Sequence, residues 1–129
     1  MWHDGARWHA SQVGARTTPF RLSGGGTKRI PISRPQVLAG PRGAVYVVFR
    51  DAERGGGITV ARATDAAHAH WSLFEILATP VGQWEPTYDP EQWRTRGLLA
   101  LQVQRVGQGD GESLEDLGPQ TVSILEWTP

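Results

Sequence analysis

Two stretches of this 129-residue chain pass through the same succession of signals. The first runs Ser33-Arg34-Pro35-Gln36-Val37, then the apolar Val45-Tyr46-Val47-Val48-Phe49. A turn at Gly55-Gly56-Gly57, the run Ile58-Thr59-Val60-Ala61 and Trp71-Ser72-Leu73-Phe74-Glu75-Ile76-Leu77 complete it. The second runs Trp84-Glu85-Pro86-Thr87-Tyr88, then Leu98-Leu99-Ala100-Leu101-Gln102-Val103. A loop with Gly107, Gly109 and Gly111 follows, then Thr121-Val122-Ser123-Ile124-Leu125-Glu126-Trp127. Pro35 and Pro86 lie about 50 residues apart, a period that suits four-stranded antiparallel blades arranged radially, as in a β-propeller. Such a repeat limits the fold more tightly than any single motif, because each unit buries its apolar faces only against its neighbours.

Local patterns agree with short strands. Val45 to Phe49 is β-branched and aromatic without a polar interruption, as befits a strand buried on both faces. Nowhere do apolar residues keep i, i+3, i+4, i+7 spacing between caps, so no long helix is expected. The 16 glycines and 9 prolines punctuate the joins. The expected architecture is all-β: a partial β-propeller of about two and a half four-stranded antiparallel blades. Residues 1–22 supply the outer strand of a preceding blade, from Trp8 to about Val13, and the start of a polar, Gly-rich connector. Residues 30–79 form a complete blade, and residues 80–129 a final blade lacking its outer strand. Propellers close with about 4–8 blades. The chain therefore reads as the carboxy-terminal part of a larger propeller, or a truncated gene product, with the remaining blades as partners. A small complete β-sandwich is the competing architecture.

Charge narrows the partners. Thirteen Lys and Arg balance thirteen Asp and Glu, which favours neither nucleic acid nor a membrane surface. No apolar run approaches the ~20 residues that cross a bilayer, and Met1-Trp2-His3-Asp4-Gly5 lacks the apolar core of a secretion signal. Without cysteine there are no disulfides or thiolate metal sites. His68 and His70 share one side of an extended segment but have no third ligand nearby. Ser23 to Gly26 follows no strand and meets no Gly-Lys-Ser/Thr ending. Neither a metal nor a cofactor is expected.

The residues carry a resemblance. Arg34-Pro35-Gln36-Val37, Val45 to Phe49, Arg50-Asp51 and Gly55-Gly56-Gly57 resemble the BNR-repeat (sialidase-like) β-propeller proteins. So do Gly82-Gln83-Trp84-Glu85-Pro86-Thr87-Tyr88-Asp89, Trp93, Gln102-Val103-Gln104 and Gln108-Gly109-Asp110-Gly111-Glu112. Within that family the chain is similar to the ulvan-lyase-like polysaccharide lyases near their carboxy terminus, from about Asp4 to Trp127. The resemblance implies a propeller, an acidic polysaccharide or oligosaccharide as ligand, and an extracellular or periplasmic location. The family's Ser-x-Asp-x-Gly-x-Thr-Trp box is degenerate here. Asp4-Gly5-Ala6-Arg7-Trp8 sets its Asp one residue too close to the Trp; Asp65 stands one too far from Trp71.

Blade topology sorts the loops by face. Outer-to-inner and second-to-third connections share one end, which gathers Arg34, Gln83, Trp84, Glu85 and Tyr88 with Arg50, Asp51, Glu53 and Arg54, and with Arg105, Gln108, Asp110 and Glu112. The substrate-binding candidates are Arg34, Arg50, Asp51, Arg54, Trp84, Glu85, Tyr88 and Arg105. Arginines grip carboxylate or sulfate bidentately, a tryptophan stacks on a sugar ring and carboxylates take hydroxyls. Each has a plainer role open to it. Arg34 can pair with Glu85 or Asp51, Trp84 and Trp93 can pack between blades, and Asp110 with Glu112 can be solvated loop or, less simply, a cation site. No catalytic residue is assigned. The His, Tyr and Arg that the resemblance implies for lyase chemistry match none of His3, His9, His68 or His70, and Tyr88 with Glu85 is a hydrolase pair in name only. A non-catalytic carbohydrate-binding or scaffold propeller is the alternative.

Overall fold

The structure, a computed structural model, describes residues 1–129 except Gly24, Thr27 and Glu112. Two residues of the Gly-rich connector, and Glu112 among the rim candidates, thus lie outside the described residues.

The first repeat forms one sheet. Strands β3 (Gln36–Ala39), β4 (Val45–Arg50), β5 (Ile58–Ala63) and β6 (Ser72–Leu77) pair antiparallel in chain order. Alternation along β4 sends Tyr46, Val48 and Arg50 to one face, beside Arg62, Val60 and Ile58 of β5. Val47 and Phe49 point to the other, beside Ala61 and Thr59. Both faces are covered, so β4 and β5 are almost wholly buried. That is why their sequences tolerate so little polarity.

Different partners cover the two faces. Val48, Val60, Leu38 and Tyr46 join Leu99, Leu101 and Val103 of strand β7 (Leu99–Val103) in the larger apolar cluster. On the far side Val47, Phe49 and Ala61 meet Val13 and Ile32 of the amino-terminal section, together with Leu73 and Trp71. The four-stranded sheet is the middle layer of three.

The last layer pairs β7 with β8 (Ser123–Trp127). The expected innermost strand over Trp84–Tyr88 is reduced to one bridge between Tyr88 and Leu101. Two hydrogen bonds flank it, Asp89 N–H to the Ala100 carbonyl (2.9 Å) and Gln102 N–H to that of Thr87 (3.1 Å). Pro86 has no N–H to offer a ladder, and Asp89 already caps a helix. That helix, α1 (Pro90–Arg96), starts where the Asp89 carboxylate accepts from the Glu91 and Gln92 amides and ends at Gly97 in the left-handed region. The Trp93 indole N–H donates to the Ala39 carbonyl at 2.8 Å, tying α1 to the end of β3.

The amino-terminal layer is slighter than expected. Strands β1 (Trp2–His3) and β2 (Trp8–His9) form a two-rung hairpin, and no strand continues to Val13. Cross-strand rings close it, Trp2 stacked on His9 at 4.3 Å and His3 edge-on to Trp8 at 5.1 Å. Asp4 shapes its turn by accepting from the Ala6 and Arg7 amides at 2.8 Å. Asp65 plays the same part between β5 and β6, accepting from the Ala69 and His70 amides. Asp4 and Asp65 thus each cap a turn between antiparallel strands.

Candidate functional site

Antiparallel order β3-β4-β5-β6 puts the approach to β3 and the β4–β5 turn at one end of the sheet, and the β3–β4 and β5–β6 turns at the other. The first end is the rim where the sequence places most ligand candidates.

At its centre sits Arg50, 2% exposed at the end of β4. Its Nε donates to the Trp84 carbonyl (3.2 Å) and its Nη2 to that of Ile30 (2.9 Å), while its backbone N–H donates to Ser33 Oγ (2.9 Å). Burial pushes the guanidinium pKa down, against the pull of Glu85 and Asp51. Asp51, 5% exposed, pairs with Arg16 and caps the turn by accepting from the Glu53 amide at 3.0 Å. Neither Arg50 nor Asp51 presents a free polar surface; both are consumed in holding the rim together.

Glu85 accepts the Arg34 backbone N–H at 2.8 Å, and the Arg34 Nε lies 3.6 Å from the same carboxylate. This is the inter-layer pairing the sequence allows, yet the Arg34 side chain remains 88% exposed. Arg54 is exposed, with Nε donating to Thr59 Oγ1 at 3.2 Å. Arg105 is exposed beyond the end of β7, in a shallow cleft that it shares with Glu115 and Asp116.

Trp84 does not offer a stacking face. It is 4% exposed within the larger apolar cluster, and its indole N–H donates to the Gln102 carbonyl at 2.8 Å. A large ring following a tight turn at Gly82 is drawn into the interface between two sheets, where its area is worth most. Tyr88 lies away from the rim, opposite Leu101 in the body of the last sheet, half-buried beside Gln92, Gln102 and Glu126. The structure thus unites Arg34, Arg50, Asp51 and Glu85 with the Trp84 backbone, and leaves Tyr88 apart.

Sequence reasoning missed what crosses the rim. Residues 16–18 and 29–30 reach it: Thr17 and Thr18 donate to the Glu53 carboxylate, Arg29 pairs with Glu115, and the Arg29 N–H reaches Asp110 at 2.9 Å. The Ile30 amide donates to the Gln83 side chain at 2.9 Å. Hydrogen bonds from Thr18 and Thr17 hold the Glu53 carboxyl down at about 2. Arg16 and Arg29 stand in a polar stretch with no periodicity, so nothing in the sequence ranked them above their neighbours. Asp110, an open choice between solvated loop and cation ligand, is occupied by Arg29.

At the far end His68 lies edge-on to Trp2 at 5.0 Å, while His70 turns to solvent near Asp65. Among the described residues no three histidine or carboxylate side chains gather as a metal-holding group.

No protein-family model matches the chain, and no curated protein matches it.

Proposed function

We propose that this chain is a wedge of a BNR-type β-propeller whose rim helps to bind an acidic polysaccharide, with no chemistry of its own. One observation supports the reading: a four-stranded antiparallel sheet is buried on one face against the β7–β8 sheet and on the other against Val13 and Ile32 of the amino-terminal section. In such a stack the rim is the mouth of the central channel, and ligands bind at concave mouths of this kind.

Burial redistributes the roles. The cations left to meet a carboxylate or sulfate are Arg34, Arg54 and Arg105, all exposed at the rim end. Arg34 is best prepared, because Glu85 holds its backbone while its guanidinium faces water. Arg50 and Asp51 act beneath them as the frame. Lyase or hydrolase chemistry would belong to blades outside these residues.

Titration of the chain with a uronate oligosaccharide, followed by calorimetry and by product absorbance, tests this. Binding without product, weakened several-fold in Arg34→Ala and lost in a triple alanine variant at 34, 54 and 105, is the expected result. Binding that ignores all three substitutions would overturn it. The burial of Trp84 favours a second reading, a scaffold propeller that binds no sugar, which would give no heat in the same titration.

A further inference from the structure

Among the described residues three arginines are not exposed: Arg16, Arg50 and Arg62. Two of them have protein acceptors. Arg16 pairs with Asp51, and Arg50 donates to the Trp84 and Ile30 carbonyls. Arg62, half-buried near the end of β5 away from the rim, takes part in no hydrogen bond or ion pair among the described residues. Its Nε is sealed from solvent without a partner, whereas its two Nη atoms keep contact with water. The guanidinium stands 5.8 Å from the centroid of the Tyr46 ring.

The surroundings supply rings and no counter-charge. Arg62 lies opposite Tyr46 across β4–β5 and opposite Ser72 across β5–β6, so the three share the face turned towards β7 and β8. Trp127 of β8 covers that face, its ring 6.2 Å from Tyr46 and 6.0 Å from Phe74, whose strands flank β5. The nearby carboxylates are turned away or already engaged. Glu75 pairs with Thr59 on the opposite face, Glu126 points outward beside Ala100, and Asp65 accepts the Ala69 and His70 amides. A cation drawn partly out of water without a counter-charge is costly, and one aromatic face offsets only part of that cost.

We propose that Arg62 is the centre of a binding site for a small tetrahedral oxyanion, of the sulfate or phosphate type. Nη1 and Nη2 grip two of its oxygens end-on, the geometry in which a guanidinium fork binds oxyanions best. The exposed Ser72 hydroxyl, opposite Arg62 in the ladder, is placed to donate to a third oxygen, which a planar carboxylate lacks. Both sheets that flank the site belong to this chain, so no further blade is needed to close it. The inference goes beyond the glycan reading and does not depend on it, because Arg62 lies at the end of the sheet away from the rim.

Sodium sulfate titrated into the nitrogen-15-labelled chain, replacing chloride at constant ionic strength, tests the site by nuclear magnetic resonance. The Arg62 Nε–Hε cross-peak and the Ser72 amide are expected to shift together and saturate. Ser72→Ala weakens the binding several-fold, Arg62→Lys weakens it at least as much because the fork is lost, and Arg42→Met at the neighbouring turn leaves it unchanged. Methyl sulfate is the second probe: saturation at the same cross-peaks assigns the site to an ester-borne group, and saturation by inorganic sulfate alone assigns it to a free ion. Thermal melts give an independent readout. Arg62→Met is at least as stable as wild type at low salt, since an unpaired charge is gone, and it loses the extra rise in Tm that sulfate gives the wild type over chloride. An Arg62 cross-peak that never saturates overturns the proposal, as does saturation that persists at Ser72 in Arg62→Met. A marked loss of stability in Arg62→Met at low salt overturns it too, because the Tyr46 ring alone would then satisfy the cation.

Discussion

Replacing Arg50 probes the frame of the rim more directly than any other substitution. Its guanidinium joins two layers, bonding the Trp84 carbonyl of the last sheet and the Ile30 carbonyl of the connector. Arg50→Met keeps the stem and removes both bonds. Leaving two carbonyls short of a donor costs about 1 kcal/mol each at the low end for acceptors that retain a second lone pair, so about 2 kcal/mol in all. Relief of the desolvation that burial imposes on the charge offsets part of this, which sets about 2 kcal/mol as the ceiling for Met. Arg50→Ala also forfeits two buried methylenes, Cγ and Cδ, at about 0.8 kcal/mol each, which raises the ceiling to about 3.6 kcal/mol. Urea unfolding followed by far-ultraviolet circular dichroism measures both. The order wild type, Met, Ala is the prediction, with no more than about 2 kcal/mol between successive steps. Arg50→Met as stable as wild type would refute the reasoning, since the bonds would then contribute nothing beyond the cost of burying the charge. Glycan affinity per folded molecule is expected to be unchanged in Arg50→Met.

Three further outcomes follow from the same geometry. Trp84→Phe loses the bond to the Gln102 carbonyl and lowers unfolding stability by about 1 kcal/mol, whereas Trp84→Ala costs about 3–5 kcal/mol in the same urea series. Gly82→Ala forces a Cβ against the Val106 carbonyl at φ +63°, so the Gly82–Val106 bridge breaks and the Val106 amide loses exchange protection; an unchanged protection factor would count against the turn as described. Hydrogen bonds hold the Asp4 carboxyl, through His9 first, and the Glu53 carboxyl, through Thr18 first, at about 2. A carboxylate lowered on folding stabilises fully above its unfolded pKa and ceases to do so as pH falls through the folded one. Amide chemical shifts of Ala6 and Thr18 should therefore report no protonation of these carboxyls down to about pH 3 and move as pH falls through about 2, and Asp4→Asn should abolish that low-pH change at Ala6.

The four-stranded sheet was legible because burial on two sides demands unbroken apolar runs. Val45 to Phe49 and Ile58 to Ala61 could do little else, and glycine turns set their limits. Where the last sheet departs from expectation, local chemistry is responsible. Pro86 and the Asp89 cap cut the inner strand short, and seven residues are too few for α1 to show a period, although Asp89-Pro90 and Gly97 mark its ends. The amino-terminal hairpin is held by cross-strand rings, which no single-strand pattern reveals. At the rim end, Arg34, Glu85, Arg50 and Asp51 lie near one another, as the antiparallel topology implies. Which of them face solvent was decided by burial and by the ties of Arg16 and Arg29. Those contacts span 35 residues for Arg16–Asp51 and about 80 for Arg29, beyond the reach of spacing.

The account stands on three stacked layers with the four-stranded sheet in the middle, and methyl nuclear Overhauser effects measure that arrangement directly. Cross-peaks from Val48 and Val60 to Leu99 and Leu101, with separate cross-peaks from Val47 and Ala61 to Val13, are the predicted pattern. Contacts from Val47 or Ala61 to Leu99 or Leu101, or Val13 methyls close to no residue of β4 or β5, would contradict it.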